Sequence, residues 1–228
     1  MLRESANEEW PHFQRIINIK TQPTYALGFA HHAFSLERLK KVGNFFKSYY
    51  AGKTCAFGST SFMYFPFFSC EIEESDYLCS MARLHNTHYV TIGMCAINEL
   101  FRRVGRESEL DGRVLAFSIS HSRREVVIVA HYSLIDEQET KYYQKVIHSA
   151  EFASPHCTDR WIAYSFTRNL YNWMLNHCSW ICSAVDKLEY GSDFPRVHQP
   201  LGQRKRIQSD MMLGISLKRF ISPIWMRF

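Results

Sequence analysis

No stretch of the chain approaches the roughly 18 uninterrupted apolar residues that a membrane-spanning helix requires. The first fifteen residues carry Glu4, Glu8 and Glu9 where a secretory leader would be apolar. A membrane partner is not expected, and the cytosol or nucleus is the expected location. Glycine-rich phosphate loops are missing, as are GxSxG and HExxH, so P-loop, serine-hydrolase and zincin chemistry have no sequence support. Cysteine is present without order: Cys55, Cys70, Cys79, Cys95, Cys157, Cys178 and Cys182 are odd in number and lack framework spacing. They are expected as free thiols in a reducing compartment, most of them small core residues. Cys178 and Cys182 are spaced to share a zinc, but no second Cys or His pair stands at finger-like spacing to complete a site.

Charge is modest as well. Charged residues make up 21% against 46% hydrophobic, far from the composition that keeps chains disordered, so a folded core is expected. The net charge of +5 is unevenly placed. Beyond Gly191 seven Lys and Arg face only Asp193 and Asp210, which accounts for the whole of it. The preceding part is neutral. A nucleic-acid partner would therefore be met through this tail, above all Arg204, Lys205 and Arg206, rather than through the domain. The 228 residues divide on this reading into a flexible arm (1–23), an α/β domain (24–190) and a basic tail (191–228) that is mobile or folds on a partner.

Within the domain, Tyr25 to Ala30 reads as a strand after Pro23. Ser35 caps a helix from Leu36 to about Tyr50, with Leu39, Val42, Phe45 and Phe46 at helical spacing. Phe57 to Ile72 is nearly continuously apolar and reads as strand buried on both faces, with a bend, bulge or edge at Pro66, which has no amide hydrogen to donate. A long helix runs from Asp76 to Arg103, and its middle, Val90 to Ile97, is apolar on every side, so it belongs in the core. Val114 to Ser120 and Val126 to Tyr132 form a hairpin. Lys141 to Phe152 adds an edge strand, and Asp159 to Lys187 is a last helix. The order is that of a mixed central sheet flanked by helices, without internal repeat. The edge strand and the 15% aromatic content also suit a protein-binding module.

Acids mark one end of the buried strand. Glu71 and Glu73 are two residues apart, on one face and about 7 Å from each other. They either share a hard divalent cation such as Mg²⁺ or mark where the strand reaches water. In the following helix His85 and His88 are expected to face one side, as phosphate or metal contacts or as core histidines.

The segments YALGFAHHAFSLERL, MYFPFFSCEIE, HNTHYVTIGMCAINELFR, VLAFSISHSRREVVIVAHYSLID and WIAYSFTRNLYNWM resemble, in order, the blocks of a domain of unknown function common in filamentous fungi. The order of helix, strand, Glu-x-Lys strand, helix and strand in that family is similar to the PD-(D/E)XK (restriction-endonuclease-like) nucleases. The resemblance implies that Glu71 matches the metal-binding acid and that Glu73 stands in the lysine position. Asn86 and His88 match the family pattern, and His85 replaces its Gln. The position of the partner aspartate reads Ser59-Thr60-Ser61-Phe62, without an acid. Glu37 on the first helix is the candidate for a substitute metal ligand. The resemblance thus implies a nuclease-like domain with a degraded metal site, acting as a binding or scaffold protein. The alternative it leaves open is an active Mg²⁺-dependent nuclease using Glu71, Glu73 and a third acid from Glu37 or Asp76.

Overall fold

Tyr25-Ala-Leu-Gly-Phe-Ala30 alternates large and small side chains, and it forms a strand in the computed structural model, which describes residues 1–10, 21–49, 63–73, 79–135, 140–151, 161–189 and 207–209. Six strands of the described chain pair into one mixed sheet: β1 (Leu2–Ala6), β2 (Tyr25–Ala30), β3 (Met63–Ile72), β4 (Val114–His121), β5 (Glu125–Ile135) and β6 (Thr140–Glu151). They lie side by side in chain order. All neighbours are antiparallel except β3 and β4, which are parallel and joined through helix α2 (Cys79–Arg103). Helices α1 (Leu36–Tyr49) and α3 (Ile162–Asp186) follow β2 and β6. A three-residue strand from the tail, β7 (Ile207–Ser209), runs parallel to β6.

The two faces of the sheet differ in chemistry. Against α3 it presents aromatic and branched side chains: Phe117 packs on Phe166 and Trp173 with ring centroids 5.3 and 5.1 Å apart, and Phe67 packs on Trp173. Facing α2 it is small and polar, with Ser69, Ser118, Ser120, His131 and Ser133 all buried. These groups are hydrogen-bonded, as buried polar groups must be: Ser133 Oγ donates to Asn98 of α2, and Ser118 Oγ meets His131 Nε2 at 2.9 Å. α1 is clasped to α3 by the forked ion pair of Arg38 with Asp186.

Ser35 begins α1 as expected, its Oγ accepting from the Arg38 amide. Pro66 sits in an irregularity of the β2–β3 ladder: Leu27 pairs with Phe68 but Phe29 with Tyr64, and Phe65 adopts φ of 47°. The displaced backbone is what a residue without an amide hydrogen demands inside a paired strand. Val90 to Ile97 is buried along nearly its whole length. The arm expected over residues 1–23 needs correction, because Leu2–Ala6 is the sheet's first strand and Trp10 is buried against Tyr89, Ala26 and Met63. Its polar composition suits an edge strand, where one side of the backbone is unpaired. No described helix is long and apolar enough to cross a membrane.

Candidate functional site

β3 and β4 end together, and the crevice beyond the carboxyl ends of parallel strands is where open α/β sheets commonly hold ligands. Glu71 lies at that end, one residue from the last of β3 and beside Ser120 in the parallel register. Its side chain turns to the α2 face and is 6% exposed. Thr24, just before β2, donates its backbone N–H to Oε1 at 2.7 Å and its hydroxyl to Oε2 at 3.0 Å. Burial raises the Glu71 pKa above the ordinary carboxylate value, while the two Thr24 hydrogen bonds and nearby His85 pull it down. Tyr89 stands one turn further along α2, its hydroxyl at the Gln22 backbone and its pKa pushed up to about 12 by burial and the Glu71 charge.

Glu73 lies past the end of the strand, its amide still donating to the His121 carbonyl at 2.9 Å, and its charge adds slightly to the elevation at Glu71. The two acids thus lie near one another at the end of β3. The two histidines part company. His85 is half-buried near Glu71 and Tyr89, whereas His88 is 0% exposed and meets Thr21 Oγ1 at 3.2 Å. Three residues along a helix face one side only loosely, and here the helix is buried on that side.

Asn86 belongs to the core. Its Oδ1 accepts from Ser69 Oγ at 2.7 Å, while Nδ2 donates to the Ile119 carbonyl at 2.9 Å and to Ser120 Oγ at 3.0 Å, so one amide ties α2 to both β3 and β4. Three of the four hydrogen bonds an amide can make are spent on the fold, and the group is fully buried. Asn86→Ala should therefore cost about 3 kcal/mol, since two hydroxyls lose their partner inside the core. Chemical denaturation should show the midpoint falling at unchanged slope.

Glu37 cannot join Glu71. α1 follows the far end of β2, where Ala30 pairs with Met63, and Glu71 is eight residues up the antiparallel neighbour. At about 3.3 Å per residue the two carboxylates stand roughly 20–25 Å apart at opposite ends of the sheet. Asp76, Ser59 to Phe62 and the Arg204-Lys205-Arg206 run lie outside the described residues. Among the described residues no three His, Cys, Asp or Glu side chains converge on a point that would hold a metal ion. Mg²⁺ requires several oxygen ligands in near-octahedral array, and among the described residues Glu71, already holding two Thr24 donors, has only Glu73 as a neighbouring acid.

Thr24, Thr21 and Tyr89 carry no signal in the sequence. A polar residue ahead of a strand and a tyrosine in a buried helix are commonplace, and only the sheet pairing brings Thr24 to Glu71 across 47 positions.

A family model described as "Domain of unknown function (DUF7924)" matches residues 1–185, and the chain belongs to that family. No curated protein and no solved structure matches it. The matched span runs from the first strand almost to the end of α3.

Proposed function

We propose that this member of the family is a non-catalytic binding protein on a nuclease-like α/β domain, retaining one acid of a former metal site and meeting polyanions through its basic tail. Thr24 supports this reading most directly. By donating to both oxygens of Glu71, it uses the carboxylate as a structural acceptor between β2 and β3. Hydrolysis of a phosphodiester by a bound metal needs a ligand set that fixes the ion and water. Glu73 brings a negative charge to the position where the resemblance expects a lysine.

The tail supplies the other half of the proposal. Its seven cations, placed beyond a neutral domain, suit a sequence-independent contact with phosphates. Four phosphates neutralised would give a log–log salt slope of about −3 to −4.

The test is to incubate the purified full chain with plasmid and with single-stranded DNA in Mg²⁺ or Mn²⁺, and to measure retention across a salt series. Expected are intact DNA in both metals and retention that falls steeply with salt. Cleavage that disappears in Glu71→Ala would overturn the non-catalytic reading; salt-independent or absent retention would overturn the polyanion reading.

A further inference from the structure

A helix on the outside of a domain ordinarily turns charged residues to water. α3 departs from this: between Ile162 and Val185 the sequence holds a single formally charged residue, Arg168, and the first acid is Asp186. Its inner side, with Phe166, Leu170, Met174, His177 and Ile181, is buried in the core. Tyr164, Arg168, Tyr171 and Leu175 follow one another at spacings of four, three and four residues, so they stand in one row along the outer side. Tyr164 is 68% exposed, Leu175 52% and Tyr171 38%. These three side chains leave on the order of 300 Å² open, a patch of the size that on a monomer commonly marks an interaction site. α1 is clasped to the far end of α3, at Asp186, and the row is open to solvent.

We infer that this row is a self-association surface, on which α3 of a second copy of the chain packs antiparallel across a twofold axis. Alternating spacings of three and four are those of a coiled-coil seam, and a twofold contact must complement itself. An axis between Arg168 and Tyr171 satisfies that condition. Tyr164 then faces Leu175 of the partner subunit, and Arg168 lies over the ring of Tyr171 of the partner subunit, a cation–π contact. The symmetry makes each contact twice. A parallel pair would instead set Arg168 against Arg168 of the partner subunit, two like charges on a face that carries no acid.

The flanks of the row agree. Ser165, Asn172 and Asn176 are short and uncharged, so closing the seam desolvates no acid or lysine, the step that most often opposes burial of a helix surface. A single helix pair is a small interface, below the roughly 800 Å² per partner of standard complexes, and association should be reversible with a dissociation constant of about 10–100 μM. Its driving force is apolar. Unlike a contact made by the basic tail, it should hold as salt rises.

Sedimentation equilibrium of the reduced full chain, from about 3 to 300 μM and in about 0.1 and 0.5 M salt, tests the inference. Expected is a monomer–dimer equilibrium with the same midpoint at both salts, weakened about tenfold or more by Tyr164→Glu and by Leu175→Glu. Leu36→Glu, at an exposed apolar residue of α1 away from the row, should leave it unchanged. The direction of packing is read by mixing Tyr164→Cys with isotopically labelled Leu175→Cys under mild oxidation and mapping the links by mass spectrometry. Position 164 should be joined to 175 between chains, because the two copies of 164 stand about 16 Å apart in the antiparallel pair. A chain that stays monomeric throughout, a dimer dispersed by salt, one that persists in both glutamate variants, or links mainly from 164 to 164 would overturn the inference. Where a glutamate variant loses its melting transition, Tyr164→Ala and Leu175→Ala take its place, with weakening again expected.

Discussion

Gly93→Ala is expected to lower the melting temperature by about 6–12 °C, corresponding to about 3 kcal/mol at 2–4 °C per kcal/mol for a domain of this size. A Cβ at Gly93 would stand 1.9 Å from the Pro66 carbonyl oxygen and 2.9 Å from its carbon. Both atoms are backbone, so no rotamer relieves the contact. The displaced ladder at Phe65 and Pro66 drives that carbonyl toward α2, and a residue without a side chain is what lets the helix sit against it. Alanine gains about 1 kcal/mol of helix propensity, but overpacking costs more than it returns. Moving α2 outward would also stretch the bonds from Asn86 and Asn98. Gly43→Ala on α1 is the control, because nothing lies within 4 Å of the added atom and only the propensity gain applies. Should Gly93→Ala melt at or above the parent, the close approach is not there.

Stability is also expected to collapse on acidification well before the surface carboxylates titrate. Burial holds the pKa of His131 and of His177 near 3, from an ordinary 6.5, with Arg83 and Arg113 adding repulsion. Above pH 6.5 both histidines are neutral whether the chain is folded or not, and stability does not depend on them. Below it the unfolded chain binds two protons that the folded chain refuses, so stability falls by about 2.7 kcal/mol per pH unit toward pH 3. At pH 5 about 4 kcal/mol should be gone. Glu71 works in the opposite sense, since its raised pKa lets the folded state take up a proton first. Glu109, held near 2 by Arg106, loses its contribution only below about pH 4.5. His177 sits among Phe29, Phe67, Trp173 and Trp180, stacked on Trp173 at 4.3 Å, and neither ring nitrogen finds a partner among the described residues. His177→Phe should therefore be at least as stable at pH 8 and should halve the acid slope. Urea denaturation from pH 8 to pH 5 measures both, and an unchanged slope in the variant would refute the assignment.

The elements that could be read in advance are those whose pattern is local. Ser35 before an amphipathic run, Pro66 inside an apolar one and the polar turn near Ser122 each act over a few residues, and α1, the irregular ladder and the β4–β5 hairpin stand where they imply. β1 was hidden because an edge strand with one unpaired side tolerates Arg3, Glu4 and Ser5 in succession. Glu71 was visible as an acid ending a buried strand, but whether it faced a metal or a threonine depended on strand pairing, which spacing does not encode. Asn86 shows the same limit from the other side. A polar residue in a buried helix signals either a site or a bridge, and here the serines of two strands decide in favour of the bridge. Gly93 was equally opaque, since its reason is a carbonyl 27 positions away.

Because the strands lie across the sheet in the order in which they occur along the chain, each strand pairs with its neighbour in sequence. The β4–β5 and β5–β6 connections span only residues 122–124 and 136–139, so this meander closes its loops at little entropic cost and is the natural nucleus. Longer steps are the parallel crossover through α2, which must close 73–113 before β3 meets β4, and the return of β7 to β6 across 152–206. During synthesis each strand emerges with its earlier neighbour already made, and the growing edge is capped in turn by the next strand. Such a chain leaves its growing edge open only until the next strand arrives, a built-in restraint on aggregation while it folds.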